Sequence, residues 1–363
     1  MNATMMDGVA DIDSAVASAV PAARIEHRFE FHGDTREYFR IWIVNLALSI
    51  VTLGVYSAWA KVRTQRYFYA NTRLAGAPFD YQAQPLAILK GRAVALVLFG
   101  GYALAGQFDP RLQLALAVLI AVVAPWLVVR GAAFRARYSA WRGINFRFVP
   151  DYAQAYVRYL AVYLLVPLTL GLIYPYIKAK QKAFLVEHHR YGGAPFTFSA
   201  TPGDFYPSYL AAFAGMFLWA IVVIASTGTL MFRGGADAAQ KPSEWFMIGM
   251  PVLLYAGYFA IFAFLAAAIS NLVYNHAHIE DHGLRSNLKG TRLLWIYFGN
   301  TLAILASVGL LIPWAMIRLA RYRAECLVFV QGGDLDRFVA AAQDDVGATG
   351  AEMDGLFDID IGL

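Results

Sequence analysis

The chain of 363 residues is 59% hydrophobic and only 15% charged, with a formal net charge of +5. Its mean hydropathy of +0.49 excludes an ordinary water-soluble globule of this length and predicts a protein embedded in a bilayer. A single cysteine, Cys326, excludes an intrachain disulfide.

The first 24 residues are small and polar, and we expect them to be disordered. Residues 1–23 contain no lysine or arginine and no continuous apolar core, so they do not have the pattern of a cleavable signal peptide. Residues 28–33 follow, in which Phe29 and Phe31 alternate with polar residues as in a short strand.

Seven apolar segments come next, in the order single, pair, single, pair, single. They cover residues 38–60, 93–106, 112–129, 155–177, 209–232, 245–274 and 293–317. Composition predicts membrane helices for all of them. Before Gly54 the first segment offers only 14 residues (40–53), about 21 Å of helix against a hydrocarbon core of roughly 30 Å. The single segments therefore either continue past a kink or stop inside the bilayer.

Lysine and arginine crowd the loops after the first, third, fourth and seventh segments. If all these loops face the cytoplasm, as the positive-inside rule prefers, the three single segments must be re-entrant or interfacial. A plain arrangement of seven crossings instead places one basic loop outside. We expect seven crossings, and the re-entrant arrangement stays open as the alternative.

An aromatic and basic motif recurs in the three single segments. After Gly54, the first copy comprises Trp59, Arg63, Arg66 and Tyr67, whose spacing puts all four side chains on one helical stripe. At an offset of 255 the set returns in full as Gly309, Trp314, Arg318, Arg321 and Tyr322. At an offset of 117 it is weaker, as Gly171, Tyr176, Lys180 and Phe184. Such a stripe predicts an interfacial anchor, or alternatively cations that converge on an anion or a lipid headgroup.

Short strands are predicted by a second recurring pattern. The tetrapeptide GAPF at 76–79 returns at 193–196, again at an offset of 117. A partial copy at an offset of 67 includes Trp126, Arg130, Gly143, Phe146 and Phe148. These F-x-F/Y pieces predict strands that pair into a small sheet outside the membrane. The predicted fold class is therefore an all-α polytopic membrane protein with internal repeats and a small extramembrane β element.

Other polar residues suggest sites of lower specificity. Asn45 and Asn300 occupy one repeat position inside apolar segments, where we expect hydrogen bonds to neighbouring helices. His276, His278 and His282 lie close together but without a standard ligand spacing, so we expect no metal there. Paired catalytic carboxylates, phosphate-binding loops and dinucleotide fingerprints are missing from the sequence, which predicts neither an enzyme nor a cofactor.

Charge divides the chain into a membrane domain, 25–333, and an acidic tail, 334–363. The tail contains eight acidic residues and one basic residue, Arg337, for a sum of −7, which leaves +12 on the rest. Basic loops beside membrane helices indicate contact with the bilayer and its anionic lipid headgroups, and no pattern of a nucleic-acid-binding fold accompanies them.

Several stretches resemble the YjgN family of bacterial inner-membrane proteins. They are FHGDTREYFRIW at 31–42, TLGVYSAWAKVRTQRYFYANT at 52–72, PWAMIRLARY at 313–322 and FDIDIGL at 357–363. The resemblance implies a multi-pass protein of the bacterial cytoplasmic membrane, and it implies no catalytic residues.

Two functions fit these patterns. Repeats with broken apolar helices are typical of transporters, so the first is binding or transport of a small or amphiphilic anion. The second is a non-transporting membrane scaffold or lipid-binding protein, with the stripes as anchors and the acidic tail recruiting a partner.

Overall fold

The computed structural model describes residues 25–240 and 244–343. The N-terminal segment that we expect to be disordered, 1–24, and the tail residues 344–363 lie outside the described residues.

Eleven strands form one antiparallel sheet. Four β-hairpins supply eight of them: β3 (Thr72–Leu74) with β4 (Ala77–Tyr81), β5 (Ser139–Trp141) with β6 (Ile144–Phe148), β7 (His189–Tyr191) with β8 (Ala194–Phe198), and β9 (Ala277–Ile279) with β10 (His282–Ser286). Their two-residue turns need left-handed backbone, as at Ala75 (φ 48°) and Gly76 (φ 77°). The remaining strands are β1 (Ile25–Arg28), β2 (Glu30–Phe31) and β11 (Leu327–Gln331).

The sheet returns on itself as a nearly closed barrel. Its strand order begins with β1 next to β11 and ends with β3 next to β2, and β1 and β2 are consecutive stretches separated only by Phe29. The expectation of an all-α protein with a small β element was therefore wrong. Each F-x-F/Y piece is visible in the sequence, but the pairing of all of them into one ring is set by tertiary structure.

Within residues 25–240 and 244–325, ten helices are arranged as five consecutive pairs. They are α1 (Thr35–Val51) with α2 (Ser57–Ala70), α3 (Pro85–Phe108) with α4 (Pro110–Arg137), α5 (Tyr152–Tyr159, extended by the 3-10 turn Ala161–Leu165) with α6 (Tyr174–Glu187), α7 (Pro202–Gln240) with α8 (Glu244–Asn275), and α9 (Gly290–Ala306) with α10 (Ile312–Glu325). A last short helix, α11, covers 335–343.

Each helix pair is followed by strands, which gives five repeats around the barrel. The first strands after the pairs start at Thr72, Ser139, His189, Ala277 and Leu327, at offsets of 67, 117, 205 and 255 from the first. In the fifth repeat the second strand is β1–β2, which pairs with β11 from the other end of the chain. Since hairpin turns occupy one end of the barrel, all five helix pairs leave from the other end.

Four stretches among the described residues are long and apolar enough to cross a membrane: Pro85–Phe108, Pro110–Arg137, Pro202–Thr227 and Gly249–Asn275. The other three pairs are short, because their second helices have 14 residues each, or about 21 Å. Each short pair leaves and re-enters the barrel at the same end. The seven crossings expected from the sequence stay a prediction, with the re-entrant arrangement as the alternative.

The barrel lumen is packed with aromatic side chains. Phe79 stacks against Phe29 and Trp141, with ring centroids 6.0 and 6.3 Å apart, and Trp141 contacts Tyr191 at 5.7 Å. Helix α11 closes the end that carries the hairpin turns, where Phe338 stacks on Tyr191 at 5.6 Å. The core of the molecule therefore lies inside the sheet, and the helices surround the opposite end.

Candidate functional site

A cavity of about 670 Å³ lies where the helices meet the sheet. All five repeats contribute to its wall: four through α2, α4, α8, α10 and the strands that follow them, and the third through His189 on β7 alone. The lining includes Phe29, Phe31, Phe68, Tyr69, Thr72, Phe79, Arg135, Ala136, Ser139, Phe146, His189, Ser270, Tyr274, Ser286, Leu288, Ala320, Arg323, Ala324 and Leu327. We call it the axial cavity, because it lies on the axis around which the repeats are arranged.

Equivalent positions of different repeats line the axial cavity. Phe68, Arg135 and Arg323 are related by the offsets of 67 and 255, so they occupy one position in the first, second and fifth repeats. The adjacent position is filled by Tyr69, Ala136, Tyr274 and Ala324. Because the repeats follow one another around a ring, residues far apart in the sequence meet at its centre.

The charge of the axial cavity is positive. Among the described residues of its lining, Arg135 and Arg323 are the charged ones, and none is an aspartate or glutamate. Arg323 donates a long hydrogen bond of 3.5 Å to the Tyr297 hydroxyl. Among the residues that the structure describes, the Arg135 guanidinium has neither a hydrogen-bond partner nor an ion-pair partner. An anion entering this cavity would meet a cation whose bonding capacity is unused.

His189 adds a titratable group to the same wall. Burial lowers the pKa of the His189 imidazole, and the nearby charges of Arg135 and His188 lower it further, while a bond to the Leu185 carbonyl acts in the opposite direction. The imidazole is therefore neutral at pH 7. Its Nδ1 bonds the Leu185 oxygen, so Nε2 is the nitrogen that takes up a proton at acidic pH.

The remaining polar groups of the wall bond to one another. Ser139 Oγ donates to the Arg135 carbonyl at 2.7 Å and approaches the Tyr69 hydroxyl at 3.1 Å. Ser286 Oγ donates to Asn271 Oδ1 at 2.8 Å. Apart from these groups the wall is largely aromatic, so the axial cavity combines an apolar surface with unneutralised arginine.

Comparison with known proteins assigns the chain to a family. Residues 26–356 match a family described as a bacterial protein of unknown function (DUF898). The chain belongs to the DUF898 family. The inner membrane protein YjgN of Salmonella typhimurium is 24% identical over 357 residues, which is 85% of this chain and 89% of that relative. The protein of the same name from Escherichia coli O157:H7 is 29% identical over 123 residues, 34% of this chain and 31% of that relative.

No solved structure matches the chain significantly. The similarity to YjgN, read from the motifs, is confirmed. This DUF898 protein is an integral protein of the bacterial inner membrane, in which its apolar helices contact the lipid bilayer.

None of the nine residues predicted for anion or headgroup binding lines the axial cavity of this DUF898 protein. They are Trp59, Arg63, Arg66, Tyr67, Lys180, Trp314, Arg318, Arg321 and Tyr322. Arg63 is exposed. Lys180 lies 5.7 Å from the Tyr176 ring centre, and Arg318 lies 5.1 Å from that of Trp314, so these cations contact aromatic rings of their own helices.

Two of the predicted arginines join one repeat to the next. Arg66 donates to the carbonyls of Tyr81 and Ala83 at 3.2 and 3.5 Å. Arg321 donates to the carbonyl of Gly33 at 3.3 Å, the equivalent position before the first helix pair. The fifth repeat therefore contacts the first through the same kind of arginine–carbonyl hydrogen bond by which the first repeat contacts the second.

The predicted tyrosines instead tie each pair of helices together. The Tyr67 hydroxyl accepts from the Asp34 amide at 2.8 Å and donates to the Asp34 carbonyl at 2.9 Å. The Tyr322 hydroxyl makes the same two contacts with Lys289 at 2.9 and 3.4 Å. These side chains have partners within the protein, and their role toward lipid stays a prediction.

The two intramembrane asparagines differ. Asn300 donates to the Ala315 carbonyl at 3.1 Å and accepts from Arg318 at 3.2 Å, as a bond between neighbouring helices requires. Asn45 is buried, and neither of its side-chain polar atoms has a partner among the described residues. Arg63, which occupies the position of Arg318 in the first repeat, is exposed and does not bond to Asn45.

The three histidines considered as weak metal candidates lie on or just before the fourth hairpin. His276 Nδ1 bonds the Leu272 carbonyl at 2.9 Å, and His278 Nε2 lies 3.4 Å from Ser199 Oγ. His282 is buried and accepts from the Gly332 amide at 3.1 Å. Within 25–240 and 244–343, no group of three or more potential ligands converges.

Sequence reasoning missed Arg135, Arg323 and His189. Each lies close to a motif that was recognised, and the offsets of 67 and 255 already relate Arg135 to Arg323. The fourth repeat was not recognised in the sequence, because Ala268 and Leu272 take the positions of Arg63 and Tyr67, and only Phe264 keeps an aromatic ring. Without it the ring, and so its centre, could not be recognised.

Proposed function

We propose that this protein binds an amphiphilic anion, a ligand with a phosphate or carboxylate head and an apolar body, in the axial cavity. The observation that supports this most is Arg135, which has no counterion among the described residues and lies in an aromatic cavity whose described lining includes no carboxylate. Arg135 is exposed at the cavity wall, so its guanidinium is available to make charge-assisted hydrogen bonds to the head of a bound anion. Arg323 supplies a second cation from the far side of the ring.

The charge distribution supports a cytoplasmic position for the barrel. Basic residues crowd the helix ends nearest to it: Arg66, Arg92, Arg135, Arg137, Lys182, Arg292, Arg321 and Arg323. By the positive-inside rule these ends lie on the cytoplasmic side. The axial cavity would then lie at the level of the lipid headgroups of the inner leaflet, where both halves of an amphiphilic ligand find a matching environment.

The packed lumen favours binding over passage through the barrel. Beyond the axial cavity the lumen is filled by the layer around Trp141 and Tyr191, and Phe338 of α11 covers that layer. A ligand therefore enters and leaves on the side of the helices. This restricts the proposal to binding, or to transfer within the membrane, and opposes an open channel through the sheet.

Lipid retention in native mass spectrometry tests the proposed site. The probes are phosphatidylglycerol as the anionic lipid and phosphatidylcholine as the zwitterionic lipid, added to purified full-length protein. We expect Arg135→Gln and Arg323→Gln each to weaken phosphatidylglycerol binding roughly tenfold or more, since a hydrogen bond to a charged group contributes about 1.5–3 kcal/mol. Phosphatidylcholine binding should change little.

Arg63→Gln is the matched control, because Arg63 is exposed like Arg135 and Arg323 and lies on α2, the helix equivalent to α4 and α10, but does not line the axial cavity. It should leave the affinity within about twofold of the unsubstituted protein. Equal losses in all three variants would indicate a general effect of surface charge and would overturn the proposed site, as would unchanged binding in Arg135→Gln and Arg323→Gln.

A further inference from the structure

The three short helix pairs reverse direction through the same turn. Its two central residues have positive φ angles in each copy: 50° and 91° at Leu53–Gly54, 49° and 83° at Leu170–Gly171, and 50° and 89° at Val308–Gly309. Glycine accepts this left-handed backbone without strain, which explains why it follows the branched residue each time. We call these three turns the short tips.

Backbone hydrogen bonds within each short tip follow one pattern. The glycine amide donates to a carbonyl five residues earlier: Gly54 to Ser49 at 2.7 Å, Gly171 to Val166 at 2.9 Å, and Gly309 to Ile304 at 2.8 Å. Hydroxyls complete the first and third tips, where Thr52 Oγ1 accepts from the Tyr56 amide and Ser307 Oγ accepts from the Leu311 amide. A turn whose polar groups bond to each other can lie in hydrocarbon.

The side chains of the short tips are apolar and almost fully exposed. Leu53 is 95% exposed, and Leu170 and Val308 are each 92% exposed. The sequence around them has no charged residue over 41–60, 159–177 or 293–317. Apolar residues exposed to this degree are unfavourable in water, so the short tips have the surface of a segment immersed in lipid.

Depth follows from helix length, because α2 and α4 both end directly before a strand of the same barrel. Helix α4 has 28 residues and is about 42 Å long, and it begins at the polar turn of Asp109 and Arg111. Helix α2 has 14 residues and is about 21 Å long, with Arg66 on its barrel-proximal half and Lys61 a little over one turn from its tip end. The short tips therefore stop about 21 Å before the far surface, near the middle of the bilayer.

We propose that the three short pairs insert only into the leaflet nearest the barrel, so that the protein is a wedge that prefers bilayers curved convexly on the barrel side. Ten helical arms occupy the near leaflet, and four of them continue through the far leaflet. With a helix diameter of about 10 Å, the six shorter arms add roughly 500 Å² of protein area to the near leaflet alone. This proposal does not depend on the ligand of the axial cavity.

The three repeats with short helix pairs are distributed unevenly around the ring. The fifth and first repeats are neighbours through β11 and β1, and both have short pairs, whereas the third lies between the two long pairs. The far leaflet is therefore continuous over two adjacent repeats. That side of the molecule should concentrate the area difference between the leaflets.

Spin labels test the depth of the short tips. The substitution Cys326→Ser removes the single native cysteine. In that background, one new cysteine at a time replaces Leu53, Leu170 or Val308. We expect high accessibility to oxygen and low accessibility to a polar nickel reagent at all three, as at the bilayer centre. The control Gln107→Cys, near the far turn of a long pair, should be accessible to the nickel reagent. Labelling of the three tip positions by a membrane-impermeant thiol reagent from either face would overturn the proposal.

Nanotubes pulled from giant vesicles test the preference for curvature. The full-length protein carries a fluorescent protein at its N-terminus, and an impermeant quencher reports which molecules have the barrel outside. Molecules with the barrel outside should have a tube-to-vesicle ratio above one, rising as the tube narrows, and molecules with the barrel inside should have a ratio below one. Equal ratios for the two orientations would overturn the wedge, and the inverted population serves as the control within each vesicle preparation.

Discussion

Arg135 and Arg323 each lie five residues beyond a cation of the recognised stripe, Arg130 and Arg318. Five residues of α-helix rotate a side chain by about 140°, so the stripe and the cavity arginines lie on nearly opposite faces of their helices. The stripe recognised in the sequence therefore lies on the correct helices. It lies, however, on the face that points away from the axis. Which face points inward is decided by the ring of neighbouring repeats, and a single helix carries no sign of it.

His189 makes the proposed anion binding dependent on pH. The lowered pKa keeps the imidazole neutral at pH 7, and protonation at acidic pH adds a positive charge to the cavity wall. We expect phosphatidylglycerol to bind more tightly at pH 5.5 than at pH 7.5, because a protonated imidazole adds a positive charge beside the bound headgroup. Binding titrations at the two pH values, with the folded fraction checked at each, measure this change.

The control variants separate His189 from its neighbour. His189→Gln should remove most of the pH dependence, and His188→Gln should retain it. The opposite sign is expected for stability: a histidine whose pKa is lower in the folded than in the unfolded state stabilises the fold above its usual pKa, and that contribution is lost as the pH falls. Equal pH dependence in the unsubstituted protein and His189→Gln would contradict a role for this imidazole.

At the scale of elements, α11 is attached to the barrel by a close contact with one hairpin turn. Gly192 has φ +58°, and a methyl group there would lie 2.3 Å from the Ala342 carbonyl oxygen of α11. Gly143 occupies the equivalent turn of the second hairpin with φ +80° and has open space around it. Arg142 Nη1 also contacts Asp336 Oδ1 at 2.7 Å, so α11 bridges two neighbouring hairpins.

Gly192→Ala should therefore release α11, whereas Gly143→Ala should not. Both substitutions carry the strain of a left-handed alanine, about 1–2 kcal/mol, but only Gly192→Ala adds the clash with Ala342. Hydrogen exchange of the amides of 335–343 measures the difference, and we expect protection to be lost in Gly192→Ala alone. Equal exchange in the two variants would show that this contact does not hold α11 in place.

The helices and strands themselves were largely predictable, but their lengths relative to the bilayer were not. The glycine in each single segment marked the turn correctly, since Gly54, Gly171 and Gly309 all lie at a short tip. The sequence could not decide whether the helix kinks there or reverses. That depends on the strands at both ends of each pair, which return to one side of one sheet.

For the whole molecule, the repeat visible in three segments proved to be five repeats in a ring. Two features hid the other members: the fourth repeat has lost the arginines and the tyrosine of the motif, and the fifth hairpin combines β11 with β1 from the start of the chain. Ring closure links residues as distant as Arg321 and Gly33. The axial cavity arises only at this scale, because no single repeat contains it.

The most direct test maps where a bound anionic lipid touches the protein. Phosphatidylglycerol with a photoreactive headgroup is bound to the purified full-length protein and crosslinked, and the modified peptides are identified by mass spectrometry. We predict crosslinks to several repeats around the axial cavity that unlabelled phosphatidylglycerol competes away, at Tyr69, Arg135, His189, Tyr274 and Arg323. Crosslinks confined to the outward stripe, at Arg63, Lys180 and Arg318, would contradict a binding site on the axis of the ring.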